Sequence, residues 1–336
     1  MLRYEVHPGQ SDTLRLARST APVPGPGQVL VGIQAVSLNY RDLLVSRNTY
    51  FSPIPAGRVP CSDGAGRVIA VGAGVTGLAV GDRVASLFFP GWQGGAPTPA
   101  AVGEALGAEL DGVLAECFLS HERGLIRIPD EITLAEAATL PCAGLTAWHA
   151  LFEAGSLTPG QTVVLQGTGG VSIFALQLAK AAGARVIITS SSDAKLERAR
   201  SLGADACINY RTQPEWDKEV LRLTGGHGAD VVVEVGGPGT LERSLNCVAV
   251  GGRIAYVGVL TGLAGQASPV MLIPRLSTIN GIFVGSRAMF ERLLAALVAH
   301  KIRPVIDQEF AFDQAPAALA RMESAAHFGK LVLRVG

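Results

Sequence analysis

Residues 162–184 read TVVLQGTGGVSIFALQLAKAAGA. An apolar run, Thr162–Gln166, meets Gly167-Thr168-Gly169-Gly170, and an apolar helical run, Val171–Ala182, stops at Gly183. Glycine lets the chain turn tightly from strand to helix. It also lets the backbone approach a pyrophosphate, whose charge meets the free N–H groups of a helix start. The last glycine of the GxGxxG pattern is Ser172 here, so the context carries the reading. There is a strand before, a helix after, and a second strand, Arg185–Thr189, roughly 20 residues on. The plainer alternative is a glycine turn that only packs helix on strand.

Outward from this loop the same rhythm continues. Ser192 caps a helix through Leu202, with Gly203 just past its end. Ala206–Asn209 reads as a third strand, Pro214–Leu223 as a helix opened by proline, and Ala229–Val235 as a fourth strand. A helix over Thr240–Val248 and a fifth strand over Arg253–Val259 follow. Such alternation implies βαβ units and a parallel sheet. Upstream the texture is β-rich, with strand candidates at Val29–Val36, Gly66–Val75 and Asp82–Leu87, then helical spacing over Leu134–Phe152. Downstream come a helix at Arg287–His300, a strand at Val305–Phe312, a helix at Pro316–His327 and a strand at Lys330–Val335. The expected class is α/β. A doubly wound Rossmann domain over 131–273 is inserted between the two parts, 1–130 and 274–336, of a β-rich domain.

Composition narrows the function. The chain has 336 residues, 48% hydrophobic and 17% charged, with a mean hydropathy of +0.33. That supplies a large core and too little charge for disorder. Lys+Arg and Asp+Glu both number 28, without the basic excess of a nucleic-acid or anionic-membrane binder. The least charged stretch, Ile254–Pro274, is broken by Gly258, Thr261, Gly262, Gly265, Gln266, Ser268 and Pro269 and does not read as a membrane span. MLRYEVHPGQ carries Arg3, Glu5 and His7 with no apolar region behind them, unlike a secretory signal. The five cysteines form no CxxC pair, as expected for a reducing, cytoplasmic compartment.

The end of the second strand discriminates between cofactors. An acidic side chain there would bind the ribose 2′-OH of NAD. This chain has Thr189-Ser190-Ser191-Ser192, with Asp193 displaced into the next helix turn. The hydroxyls of Ser190 and Ser191 together with Lys195 suit a 2′-phosphate, and Tyr210 and Arg211 could reach the same pocket. Lys195 and Arg211 could equally be ordinary solvated charges. NADP(H) is the expected cofactor.

The loop GTGGVS, the order of β-rich part, nucleotide domain and tail, and the stretches NYRD (Asn39–Asp42) and SDGAG (Ser62–Gly66) resemble the medium-chain dehydrogenase/reductase superfamily. They are most similar to its zinc-free, quinone-oxidoreductase-like branch. The resemblance spans essentially the whole chain. It implies a GroES-like catalytic domain, a Rossmann cofactor domain, a cleft between them, and a homodimer joined through the Rossmann sheet edges. Zinc-dependent members place Cys where Asn39 stands, a His-Glu pair at Ser62-Asp63, and a third ligand at the position of Cys142. Asn, Ser and one Cys make a poor zinc site, which wants three or four Cys, His or carboxylate ligands. The run of four Cys that holds a structural zinc in relatives is missing, and Gly91–Gly112 takes its place. No metal is expected, and Cys142 reads as a small buried hydrophobe.

The resemblance also distributes roles. Asn39 and Tyr40 belong near the nicotinamide, with Tyr40 either donating a hydrogen bond to the substrate oxygen or packing under the cofactor. Arg41 and Asp42 read as a local ion pair. Beside Gly167–Val171, cofactor contacts fall on Val235, Gly236, Gly258, Val259, Phe283 and Val284. Lys330 is either a cofactor contact or a surface cation. Without a Lewis acid, hydride transfer suits a quinone or an α,β-unsaturated carbonyl, which delocalises the developing charge. The expected activity is therefore zinc-independent, NADPH-dependent reduction of such a small molecule. Alternatives are a metal-free alcohol dehydrogenase or aldehyde reductase, and a nucleotide-binding protein without turnover. No Ser/His/Asp or Cys/His set has a nucleophile-elbow context, which argues against a hydrolase.

Overall fold

A computed structural model describes residues 1–9 and 13–336, in two compact units. The first joins Met1–Leu145 to Val284–Gly336, and the second is Thr146–Phe283.

The first unit opens with an antiparallel pair, β1 (Leu2–Val6) and β2 (Leu14–Arg18). Then come β3 (Gln28–Ser37), the short helix α1 (Tyr40–Ser46), β4 (Asp63–Val71), β5 (Arg83–Ser86), β6 (Cys117–His121) and β7 (Leu125–Arg127). The strand expected at Gly66–Val75 begins at Asp63. It ends at Val71 because the chain turns at Gly72, whose N–H bonds Gln28 O. The helical stretch expected over Leu134–Phe152 is broken into α and π segments, with π turns at Leu140–Gly144 and His149–Ala154.

The second unit is a parallel sheet. Its strands are β8 (Thr162–Gln166), β9 (Arg185–Ser190), β10 (Ala206–Asn209), β11 (Ala229–Glu234), β12 (Val248–Tyr256) and β13 (Thr278–Gly281). They are linked by α2 (Gly170–Ala181), α3 (Asp193–Ser201), α4 (Trp216–Leu223) and α5 (Pro238–Cys247). Their spatial order is β10-β9-β8-β11-β12-β13, which reverses direction between β8 and β11. In doubly wound sheets that switch point, at the carboxyl ends of the strands, is where ligands bind. Val163–Leu165, Val186–Ile188 and Val231–Val233 are fully buried, as expected for strands covered on both faces. The expected fifth strand, Arg253–Val259, instead starts at Val248, with a register shift where Val248 pairs with Ala229. A sixth strand, β13, pairs with β12 beyond the expected limit at 273, moving the boundary to 283. The other boundary moves from 130 to 145, because Cys142 N–H bonds the Asp63 carboxylate of β4. α4 starts at Trp216, two residues after the expected Pro214.

The chain then returns to the first unit through α6 (Arg287–Ala299), β14 (Ile306–Ala311), α7 (Ala315–Glu323) and β15 (Lys330–Arg334). The larger sheet runs β14-β15-β3-β4-β5-β7, with β6 also paired to β3. β3 therefore has β4 along one edge, and β6 and then β15 along the other. Val31, Val36, Val68, Phe118, Leu331 and Leu333 form the core around it. Each such buried aliphatic side chain contributes about 1.5–3 kcal/mol.

Candidate active site

The second unit gathers most of the expected cofactor residues at one end of its sheet. Gly167 has φ +68°, and a Cβ built on Gly167 or Gly169 would meet no atom within 4 Å. Internal packing does not demand glycine at these two positions, and the room above them suits a phosphate group. Thr168 is buried, Gly170 opens α2, and Val171 follows it half-buried. Ser172 donates its hydroxyl to Gln166 O at 2.6 Å, pinning the loop.

Ser190 ends β9 and is buried, its hydroxyl accepting the Ser192 N–H at 3.3 Å. Ser191 and Lys195 are half-exposed at the start of α3, and Tyr210 is 41% exposed, its N–H bonded to Ser190 O. Asp193 is held by Asn209 Nδ2 at 2.7 Å. Of the two serines, Ser191 is the more accessible.

Sequence reasoning missed the polar knot behind these loops. Glu234, at the end of β11, has no exposed surface. Its carboxylate accepts from Gln166 Nε2, the Ser244 and Thr240 hydroxyls, and the N–H groups of Gly236 and Gly237. A buried carboxylate is tolerated only when its lone pairs are so occupied. The available signal was one polar residue closing each of two apolar strands, VVLQ and VVVE. Gly236 N–H is thus taken, and its carbonyl accepts from Thr261. This residue offers a ligand shape rather than hydrogen bonds. Val235 is half-buried beside it, and Gly258 and Val259 follow β12. Phe283, 42% exposed, is the last residue of the second unit.

Asn39, Tyr40, Val284 and Lys330 belong to the first unit. Val284 is buried with φ +56°, a strained backbone for a β-branched residue. Tyr40 is the first residue of α1 and is 39% exposed. Lys330 is no surface cation, being only 3% exposed. β15 is antiparallel to β3 with Val332 opposite Ser37, so stepping two residues back along β15 places Lys330 opposite Asn39. Its Nζ donates to Leu38 O at 2.5 Å and to Asn39 Oδ1 at 2.6 Å. On the other edge of β3, Asp63 pairs with Ser37. Asp63 accepts from the Ser62 hydroxyl at 2.6 Å and from Cys142 N–H at 3.1 Å, and is fully buried. Burial pushes its pKa up, and Lys330 is the strongest influence holding it back.

Arg41 and Asp42 are both buried, but they do not form the expected contact ion pair. Asp42 Oδ2 caps α1 by accepting the Asn39 N–H at 2.8 Å. Arg41 lies between the Tyr50 and Phe88 rings, 4.8 and 4.5 Å from their centroids, and donates to Leu106 O. Within the segment Gly91–Gly112, Leu106 thus contacts α1. Cys142 is partly buried, and desolvation, then Asp63, raise its thiol pKa.

Burial pushes Asp42 up to about 6, with Arg41, the Asn39 N–H and Lys330 opposing and Asp63 adding to the rise. A carboxyl raised in the folded state stabilises fully below its unfolded value, and that contribution is lost as pH rises through the folded value. Asp42→Asn, which mimics the neutral acid, is expected to be nearly neutral at pH 4. At pH 8 it should stabilise by up to about 3 kcal/mol, the size of a shift of roughly two units. Urea unfolding of both proteins at the two pH values checks this; a difference that does not change with pH would contradict it.

These residues do not fit a zinc ion. Asn39 Oδ1 faces an ammonium, and both Asp63 oxygens already accept hydrogen bonds. Among the described residues, no three His, Cys, Asp or Glu side chains gather as a metal-holding group, and no helix is long and apolar enough to cross a membrane.

Two units of this kind, one built on a GroES-like sheet and one on a switch-point nucleotide sheet, define a class. Residues 25–130 match the alcohol dehydrogenase GroES-like domain, and residues 170–299 the zinc-binding dehydrogenase domain. The chain belongs to the medium-chain dehydrogenase/reductase superfamily, oxidoreductases that bind a nicotinamide cofactor and act on small molecules. It is 42% identical to a zinc-type alcohol dehydrogenase-like protein of Schizosaccharomyces pombe, over 99% of both chains. It is 33% identical to a quinone oxidoreductase of Pseudomonas aeruginosa, over 92% of each. A solved NAD-dependent alcohol dehydrogenase superposes with a TM-score of 0.91 at 36% identity, over 100% of both chains.

Proposed function

We propose that the protein transfers hydride from NADPH to a quinone or an α,β-unsaturated carbonyl without zinc. The observation that carries this reading is the Asn39–Ser62–Asp63–Cys142 cluster, in which Asn39 Oδ1 accepts from Lys330 and the two Asp63 oxygens accept from Ser62 and from the Cys142 N–H. A site that offers a metal one thiol beside these engaged oxygens favours an acceptor that spreads charge over its own conjugated system. Bound NADPH supplies the hydride. The chain's part is to cradle the pyrophosphate on Gly167–Val171 and to hold the ribose phosphate with Ser190, Ser191, Lys195 and Tyr210. Val235, Gly236, Gly258, Val259, Phe283 and Val284 then shape the remaining contacts. Tyr40 donates to the substrate oxygen, and Asn39, held by Lys330, fixes the start of α1. Lys330 itself acts beneath Asn39 rather than on the cofactor.

A substrate panel tests the reading. Quinones and enones should be reduced with NADPH, and simple aldehydes and alcohols should turn over poorly. Faster turnover of alcohols would favour the second reading, an alcohol dehydrogenase, which the names of two relatives support. Metal analysis of the purified protein should find well under one zinc per chain.

Cofactor choice is a separate expectation. A charge-assisted contact to the 2′-phosphate is worth roughly 1.5–3 kcal/mol, so NADPH should bind at least about tenfold more tightly than NADH. Ser190→Asp should move the preference towards NADH. Fluorescence titration with both cofactors decides it, and equal affinities for the parent protein would count against the serine pocket.

A homodimer is part of this proposal. β13 is an edge strand, and Val270, Ile273 and Leu276 beside it are 56%, 71% and 76% exposed. A second copy would cover both features. The five unpaired cysteines suit a reducing, cytoplasmic setting.

A further inference from the structure

Four buried charges gather around α1. Asp42 and Asp63 are carboxylates with almost no exposed surface, and Arg41 and Lys330 are cations nearly as buried. Arg41 is committed to the Tyr50 and Phe88 rings and to Leu106 O. Lys330 is the cation that reaches Asn39, whose side chain also faces Asp63. The strand registers force this meeting. Leu38 and Asn39 extend β3 between the first residues of β15 and β4, so an ammonium from one edge and a carboxylate from the other converge there.

We propose that the Lys330 ammonium is the resident cation of this site, orienting the Asn39 amide and balancing Asp63 in place of the metal that the matched zinc-binding family implies. The inference rests on the zinc-independent reading above and assigns the residue that makes it possible. An ammonium has three protons, and two are given to Leu38 O and Asn39 Oδ1. Because it is tethered to β15, it cannot exchange with solvent cations. Lys330 is a positioning residue, acting on substrate only through Asn39 and the start of α1.

The test is a double-variant cycle on the whole chain at pH 8: the parent, Lys330→Met, Asp63→Asn, and both together. Removing this buried cation leaves the buried Asp63 carboxylate nearby uncompensated, so Lys330→Met should lower the melting temperature by roughly 10 °C. Asp63→Asn should raise it clearly more when Lys330 is already replaced than in the parent. That dependence on Lys330 is the expected result, and a purely space-filling lysine would not produce it. If Lys330→Met alone fails to fold, recovery of folded protein in the double variant supports the proposal, and a double variant equally unfolded overturns it. An equal effect of Asp63→Asn in both backgrounds also overturns it. Zinc content separates the two levels of argument. One tightly held zinc in the parent sinks the zinc-independent reading and this inference together. A zinc-free parent with no dependence of Asp63→Asn on Lys330 leaves that reading standing and removes the role of Lys330.

Discussion

Gly258→Ala is expected to lose most of the nucleotide affinity and to melt at least about 10 °C below the parent, since severe backbone overlap belongs to the costliest class of single substitutions. A Cβ at Gly258 would overlap the Val235 carbonyl, so the turns after β11 and β12 would have to separate. Those turns are locked together, because Val257 and Gly258 both donate their N–H groups to Glu234 O. Forcing them apart pulls on the residue whose carboxylate holds Gln166, Gly236 and Gly237. Gly167→Ala is the informative control. There the Cβ meets open space, and the cost is the left-handed backbone alone, about 1–2 kcal/mol. That variant should fold, melt slightly lower, and bind the dinucleotide less well because the new methyl fills the cradle. Thermal unfolding and fluorescence titration of both variants check the contrast. A Gly258→Ala protein with unchanged melting would mean that the two turns are not so close.

Tyr40→Phe should retain NADPH affinity and lose turnover. The ring stays on α1 and only the hydroxyl is removed, while the cofactor's phosphates are assigned to the second unit. One hydrogen-bond donor aimed at developing negative charge is worth ~2.7–4 kcal/mol, or about 10²–10³ in rate, in the strongest cases. Quinones spread that charge, so their loss should lie at or below the bottom of that range, with simple enones losing more. If the ring instead packs beneath the cofactor, Phe will be silent and Tyr40→Ala will weaken binding and turnover together. Steady-state rates of both variants on one active substrate separate the two roles. An unaffected Phe variant makes Tyr40 structural.

Much of the second unit was legible in the sequence because its elements are governed locally. Thr162–Gln166 and Ala206–Asn209 match their strands residue for residue, and Ser192 caps α3, because apolar runs, caps and glycine stops act over a few residues. β13 was not legible, since TING is short and polar, and pairing with β12 makes it a strand. α1 was hidden for a related reason: its buried face includes Arg41 and Asp42, which read as a local ion pair in sequence. The candidate site divides the same way. The glycine loop and the serines declare themselves, whereas Lys330 meets Asn39 across a separation of 291 residues. Only the register of β15 on β3 brings them together.

The knot at Glu234 also bears on how a ligand would be received. Five donors converge on that carboxylate, so the turn after β11 has its freedom removed during folding. Fixing a residue's backbone costs about 1–2 kcal/mol in entropy, and here that cost does not recur at binding. A dinucleotide held as proposed would meet a rigid wall on this side. Discrimination by the wall is therefore steric, rejecting misfits by collision rather than by adapting to them.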